Sequence, residues 1–328
     1  MAALPKVNLI QAPTPLHRLD GLSSDLKVDL WMKRDDLTGF AMGGNKGRKL
    51  EYLIADALEQ NAEIVVTCGA LQSNFIRQLG PACAMHGLDC AAVAMKLPFD
   101  RPAGQPEPAP MEAENGNALL SRLSGVDLRV IADGDWETLF EAMEDLAQEL
   151  ESQGRHVYRV PVGGSAVAGA YAFYEAGLEL QRQQTRPFDY VVFASSSGST
   201  QTGLAYAFDG TRTRIIGVCS DPEPEMVEDF ATLGRGLSEI LPGARVLQSS
   251  DFCLDTRFVG SGYGVPSEAG STAIRTLLQR EGILLDPIYT AKAFSGLLAM
   301  VEEGSVGGRV LFWHTGGLPA LFAYPRNL

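Results

Sequence analysis

Three observations predict an α/β fold of parallel sheets covered by helices. Short β-rich runs alternate with helical patterns along most of the chain, several runs end in small and polar residues, and apolar residues fill 45% of 328 positions. That apolar content supports a substantial buried core, and the length allows one large or two ordinary domains. Strands are expected at 63–67, 89–94, 127–131, 190–193, 214–218 and 309–313, where β-branched and aromatic residues concentrate. Helices are expected at 46–60, 73–86, 135–153 and 167–183, where apolar residues recur every three or four positions, the spacing that lays one face on a sheet.

The first chemically distinctive segment opens the first of these helices. Gly43 and Gly44 let backbone approach a ligand without side-chain clash, Asn45 is placed to cap the helix, and Lys46 follows at its start. A lysine used in covalent chemistry must be partly desolvated, because only the free amine attacks a carbonyl. Taken alone, the segment is equally an ordinary loop-to-helix junction with solvated cations. Next, Thr67-Cys-Gly-Ala-Leu-Gln-Ser-Asn74 leads from a strand into a helix, so Ser73 and Asn74 stand at a helix N-terminus, whose amides suit a carboxylate. The segment 97–110 is dense in proline and poor in apolar residues, which reads as an exposed excursion.

Beyond the strand 190–193, the run Ala194-Ser-Ser-Ser-Gly-Ser-Thr200 gathers hydroxyls, glycine and unpaired amides into a phosphate cup. It has neither the P-loop order nor the dinucleotide-binding glycine spacing, so NTP and NAD are not its natural ligands. Gly260-Ser-Gly-Tyr-Gly-Val-Pro266 displays Tyr263 on a flexible turn, and Asp286-Pro-Ile-Tyr-Thr290 sets Tyr289 and Thr290 just before a helix. Both tyrosines can cover a planar cofactor or simply fill space between loop and core. The last strand ends in His314-Thr-Gly-Gly317, which would aim Thr315 into the crevice at the sheet's end.

Composition narrows the remaining classes. A formal charge of −13 disfavours nucleic acid, and no apolar run approaches the ~20 residues of a membrane span. The first residues lack a signal peptide's basic start and apolar core, so a cytoplasmic location is the default expectation. Five cysteines without a C-x-x-C pair read as buried, reduced thiols, and four widely spaced histidines offer no metal-site spacing. Hard chemistry would then come from an organic cofactor.

Seven collinear motifs sharpen this: G-G-N-K-x-R-K-L-E at 43–51, Q-S-N at 72–74, P-V-G-G-S at 161–165, S-G-S-T at 197–200, G-Y-G-V-P at 262–266, D-P-I-Y-T at 286–290 and H-T-G-G-x-P-A-L-F-A-Y at 314–324. Together they resemble the D-cysteine desulfhydrase and 1-aminocyclopropane-1-carboxylate (ACC) deaminase family, over roughly residues 13–324. The resemblance implies pyridoxal 5'-phosphate (PLP), fold type II of the tryptophan-synthase-β kind with two parallel-type sheets each flanked by helices, and a homodimer. It also implies a large cofactor domain built from 1–48 and 159–328, with a smaller domain, 49–158, inserted. By resemblance Lys46 carries PLP on its amine and then serves as the base for the substrate's α-hydrogen. Ser197, Gly198, Ser199 and Thr200 cradle its phosphate, Asn74 meets the ring hydroxyl, Ser73 grips the substrate carboxylate, Tyr289 stacks on the ring, Tyr263 reaches the substrate, and Thr315 lies with the cofactor.

The resemblance implies a small amino acid as substrate. ACC deaminases typically carry Glu and Leu where this chain has Thr290 and Thr315, so the resemblance favours α,β-elimination from a cysteine-like substrate, with D-cysteine first, L-cysteate next and ACC last. Two departures stand out: Phe75 where desulfhydrases usually have His, and Gly47 where they usually have Thr. Phe75 removes a polar group near the expected pocket, so leaving group or stereochemistry can differ. A catalytically silent PLP-binding protein is the alternative from another class, and joint retention of Lys46, Ser73, Tyr263 and Tyr289 argues against it.

Overall fold

The computed structural model describes residues 4–98, 111–221 and 226–325. In chain order the strands are β1 (Leu16–Arg18), β2 (Asp29–Arg34), β3 (Ile64–Ala70), β4 (Asp89–Met95), β5 (Asp127–Val130), β6 (Val157–Arg159), β7 (Tyr190–Ser195), β8 (Arg214–Cys219), β9 (Cys253–Asp255) and β10 (Arg309–His314). The helices are α1 (Asp20–Leu26), α2 (Lys46–Glu59), α3 (Asn74–Met85), α4 (Gly116–Leu123), α5 (Trp136–Ser152), α6 (Val167–Gln183), α7 (Ser199–Ala207), α8 (Met226–Ile240), α9 (Glu268–Glu281) and α10 (Thr290–Glu302). Six strands form one sheet in the order β1-β2-β10-β7-β8-β9, and four form a second in the order β5-β4-β3-β6. Among the described residues only the β1–β2 pairing is antiparallel.

The six strands and four helices expected from the sequence are present, with ends within three residues of those expected. Period-two alternation explains the larger sheet's two cores. Leu30, Met32, Val192, Val310 and Phe312 face α9 and α10 on one side, while Val191, Phe193, Leu311 and Trp313 pack with Phe173 and Phe188 on the other. Side-chain caps start several helices: the Ser73 hydroxyl accepts from Phe75 and Ile76 amides, Asp135 from Thr138 and Ser267 from Gly270. The 97–110 excursion lies outside the described residues apart from Leu97 and Pro98. All five cysteines are free, but Cys253 on β9 is exposed, correcting the expectation of five buried thiols. It sits on a three-residue edge strand that pairs on one side only.

Helix α2 is anchored by buried charge. The Arg48 guanidinium donates to both Asp35 oxygens at 2.9 Å and to both Glu179 oxygens at 3.0 Å, and Lys33 joins through Glu179 and the Thr14 carbonyl. One turn on, the Glu51 carboxylate accepts from the Leu9 and Ile10 amides and from Lys6, stitching the N-terminal segment across the helix. Gly47 leaves the notch that Ile10 fills, since a Cβ there would lie 2.6 Å from Ile10 Cγ2.

Candidate active site

The C-terminal ends of β3, β7, β8 and β10 run toward one cavity of about 180 Å³, lined by Gly69 and Ala70, by Ala194 and Ser195, by Asp221, and by Thr315 and Gly316. Parallel strands make this common end, where loops and helix N-termini converge. The turn before α2 closes one wall. Gly43 has φ +72°, and a Cβ there would overlap the Asp36 carbonyl at 1.9 Å, so only glycine fits. Asn45 occupies the cap position of α2 without capping it. Its backbone is already helical (φ −64°, ψ −20°), and its side-chain amide donates across the cavity wall to Thr200 Oγ1 at 3.3 Å.

Lys46 and Lys49, adjacent on the helix face, both line the cavity and both donate to one acceptor, the Gly163 carbonyl, at 3.4 and 3.2 Å. Burial lowers the Lys46 amine to about 8, and burial together with the neighbouring Lys46 holds Lys49 well below the ordinary lysine range. Neither has a carboxylate partner among the described residues. Gly163 itself has φ +67°, and a Cβ there would meet Ser197 Oγ at 2.5 Å and Lys46 Nζ at 3.5 Å. Lys49 and Gly163 were not singled out from the sequence. Lys49's place one turn after Lys46 was the available signal.

Opposite, Ser196, Ser197, Gly198 and Thr200 line the cavity where α7 begins. Gly198 (φ +100°) presses against Phe230, which a Cβ would approach to 2.3 Å, and as the cap residue it supplies no side-chain acceptor, so that part falls to the Ser165 hydroxyl. Ser199 turns away: its amide donates to Ser165 Oγ and its hydroxyl to the Gly164 carbonyl, so it does not line the cavity.

Ser73, Asn74 and Phe75 line the wall made by α3. Phe75 is buried, and its ring lies where a Cβ on Gly164 would sit, 2.6 Å from that position. Tyr263 is buried rather than displayed on its turn. Its ring meets Trp136 edge-on at 5.2 Å, and its hydroxyl bonds that of Tyr289. Burial pushes both phenols up, so they stay protonated at neutral pH. Trp136 and Phe140, from the start of α5, complete an aromatic rim unforeseen from the sequence, because their positions read only as helix periodicity. Thr315 lines the cavity, but Thr290 does not: its hydroxyl donates to Asp286 Oδ2 at 2.6 Å within the turn that starts α10.

An aldehyde bearing a phosphate fits this donor set. The buried Lys49 and the partly buried Lys46 have no carboxylate partner among the described residues, the nine-residue helix α7 starts at the cavity beside the hydroxyls of Ser197 and Thr200, and the Lys46 amine has its proton affinity lowered by desolvation. The family model described as pyridoxal-phosphate dependent enzyme matches residues 7–316. The chain belongs to this family. Curated relatives of this PLP-dependent enzyme include a 1-aminocyclopropane-1-carboxylate deaminase from Burkholderia vietnamiensis, 38% identical over 98% of this chain and 96% of that one. A D-cysteine desulfhydrase from Salmonella newport is 37% identical over 99% and 97%. A solved ACC deaminase homologue superposes with a TM-score of 0.87 at 35% identity, covering 98% of this chain and 94% of the other. The enzyme therefore has PLP fold type II, uses PLP, and stands within the D-cysteine desulfhydrase and ACC deaminase family.

Thr200 offers a direct test of the cup. Thr200→Val removes a hydroxyl at nearly constant shape, and a hydrogen bond to a charged group contributes ~1.5–3 kcal/mol. PLP affinity, measured by equilibrium dialysis of the folded variant, is expected to fall roughly ten- to a hundredfold. Unchanged affinity moves the phosphate elsewhere.

Proposed function

We propose that the enzyme catalyses α,β-elimination from a cysteine-like amino acid, D-cysteine above all, with water consumed and pyruvate, sulfide and ammonia released. The observation that carries this reading is the Lys46 amine, lowered by desolvation to about 8, on the same cavity as the start of α7 with Ser197 and Thr200. PLP, when bound, supplies the electron sink for the pair left on the α-carbon. Lys46 Nζ would hold the cofactor's carbonyl carbon and, once freed by substrate, take the α-proton. Lys49, Ser197, Gly198 and Thr200 would hold the phosphate and Asn74 the ring hydroxyl, while Ser199, bonded away to Ser165 and Gly164, would not take part. Ser73 and the first amides of α3 would take the substrate carboxylate, at the expense of the present Ser73 hydroxyl contacts to Phe75 and Ile76. Tyr289 would lie against the ring. Tyr263, protonated and bonded to Tyr289, would face the departing sulfur and hydrogen-bond to it as it leaves as hydrosulfide.

Charge favours sulfide over sulfite as the leaving group. Asp221 and Asp229 line the cavity, and Lys46 and Lys49 are its only Lys or Arg residues among those described, so a fixed sulfonate finds acids and no unused cation. Against ACC, the position after Tyr289 brings no carboxylate to the cavity: it is Thr290, tied to Asp286. ACC has no α-hydrogen, so its ring opening needs a different first step and strong electron withdrawal. The enzyme would act as a homodimer in the cytoplasm.

A panel of D-cysteine, L-cysteine, L-cysteate, β-chloro-D-alanine and ACC, assayed for pyruvate and 2-oxobutyrate, decides among these. Pyruvate from D-cysteine, with loss of an α-deuterium, is expected, with little 2-oxobutyrate from ACC. Efficient 2-oxobutyrate formation overturns the branch assignment. Sulfite from L-cysteate beside inert D-cysteine would instead implicate Phe75, and no turnover of any of the five would favour a silent PLP-binding protein.

A further inference from the structure

Arg77, one turn into α3, is among the most deeply buried side chains, 1% exposed, and no carboxylate pairs with it among the described residues. Its Nη1 donates to the Ala41 carbonyl, its Nη2 donates to the Gly43 carbonyl at 3.1 Å and reaches Asn74 Oδ1 at 3.5 Å, and its Nε has no partner. The same guanidinium thus ties the glycine turn before Lys46 to the cavity wall at Asn74. Asn74 Oδ1 accepts a second bond, from Asn117 Nδ2 at 2.9 Å, and Asn117 is itself pinned by its amide on Gln72 Oε1 and its side chain on the Gln72 carbonyl, both at 2.8 Å. With both donors on the oxygen, the Asn74 Nδ2 is the end left for the cavity that Asn74 lines. An N–H donor backed by an uncompensated cation favours an anionic acceptor over a neutral one.

We propose that Arg77 is a positioning residue that acts through Asn74, orienting its amide and holding the ring oxygen of bound PLP in its anionic form. The inference rests on Asn74 meeting that ring oxygen. A cation that burial already lowers to about 10 is costly to keep without a counter-ion, and an anionic oxygen one residue away supplies it.

The test is a pH titration of the bound cofactor's absorption band in reconstituted holoenzyme. The wild-type band is expected to hold constant from about pH 6 upward. Arg77→Gln, which keeps a donor for the turn carbonyls but removes the charge, should raise the protonation midpoint by about one pH unit or more, the scale for a nearby opposite charge. Arg77→Lys should restore it, and Asn74→Ala should raise it as well. A shift in Asn74→Ala with none in Arg77→Gln overturns the role of Arg77 and leaves the Asn74 reading standing. No shift in either overturns the Asn74 reading itself. Should Arg77→Gln fail to fold, the wild type decides: a midpoint equal to that of the free cofactor's lysine adduct in solution overturns the proposal, and a lower one supports it.

Discussion

Lys46→Ala is expected to abolish turnover, by at least about a thousandfold, because in the proposed mechanism one side chain would serve both as attachment point and as base. PLP binding should weaken but persist, since the cup at 197–200 and Lys49 do not depend on Lys46. Borohydride reduction of the wild-type holoenzyme followed by peptide mapping checks the attachment. Lys49 is the serious rival, sharing the Gly163 carbonyl as acceptor, and a pyridoxyl group on Lys49 or Lys33 overturns the assignment. The pH dependence adds a second reading. Only the unprotonated amine attacks, so the rate at which apo-protein captures PLP should climb as pH approaches about 8 and level off above it.

The largest stability effect is expected at Arg48. Arg48→Met leaves the fully buried Asp35 with the Thr14 hydroxyl but no bonded cation, and Glu179 with Lys33 and the Thr14 amide. Breaking a buried pair by removing one partner costs about 3–5 kcal/mol, measurable by urea denaturation. Acid should reproduce part of this loss in the wild type. Burial alone would raise the Glu179 carboxyl, but the Arg48 and Lys33 bonds and charges bring it down from 4.5 to about 2. A group whose value is depressed on folding stabilises fully above its unfolded value, so this contribution is intact above about pH 4.5 and disappears as pH falls toward 2. In Arg48→Met that acid-sensitive slope should flatten. An unchanged slope would show that Glu179 owes its ionisation to Lys33.

Apolar runs such as Val191–Phe193 and Leu311–Trp313 announce buried parallel strands because both faces need covering, and these were legible from sequence. Strand β2 was not: Asp29, Lys33 and Arg34 interrupt it, and the charge partner that lets Lys33 be buried, Glu179, lies 146 residues away. The short edge strands β1, β6 and β9 carry too few residues for any period. At the site, Lys46, Ser73, Asn74, Thr200 and the tyrosines could be named because turn chemistry and the family's motifs mark them. Asn45 was misread as a cap because its partner, Thr200, is distant in sequence, and Trp136, Asn117 and Arg77 carry no local mark at all. What sequence withholds here is consistently the second partner of a contact.

The notch at Gly47 bears on the order in which such a site can change. A threonine beside the reactive lysine, the residue common among desulfhydrases, cannot enter while Ile10 occupies that space, and a smaller residue at 10 leaves a void while Gly47 remains. Either replacement alone is expected to destabilise, one by overlap and the other by a void, and the two together less, so positions 10 and 47 are expected to couple. The residue next to Lys46 is thus fitted to the N-terminal segment laid over α2, which gives Gly47 a packing reason of its own.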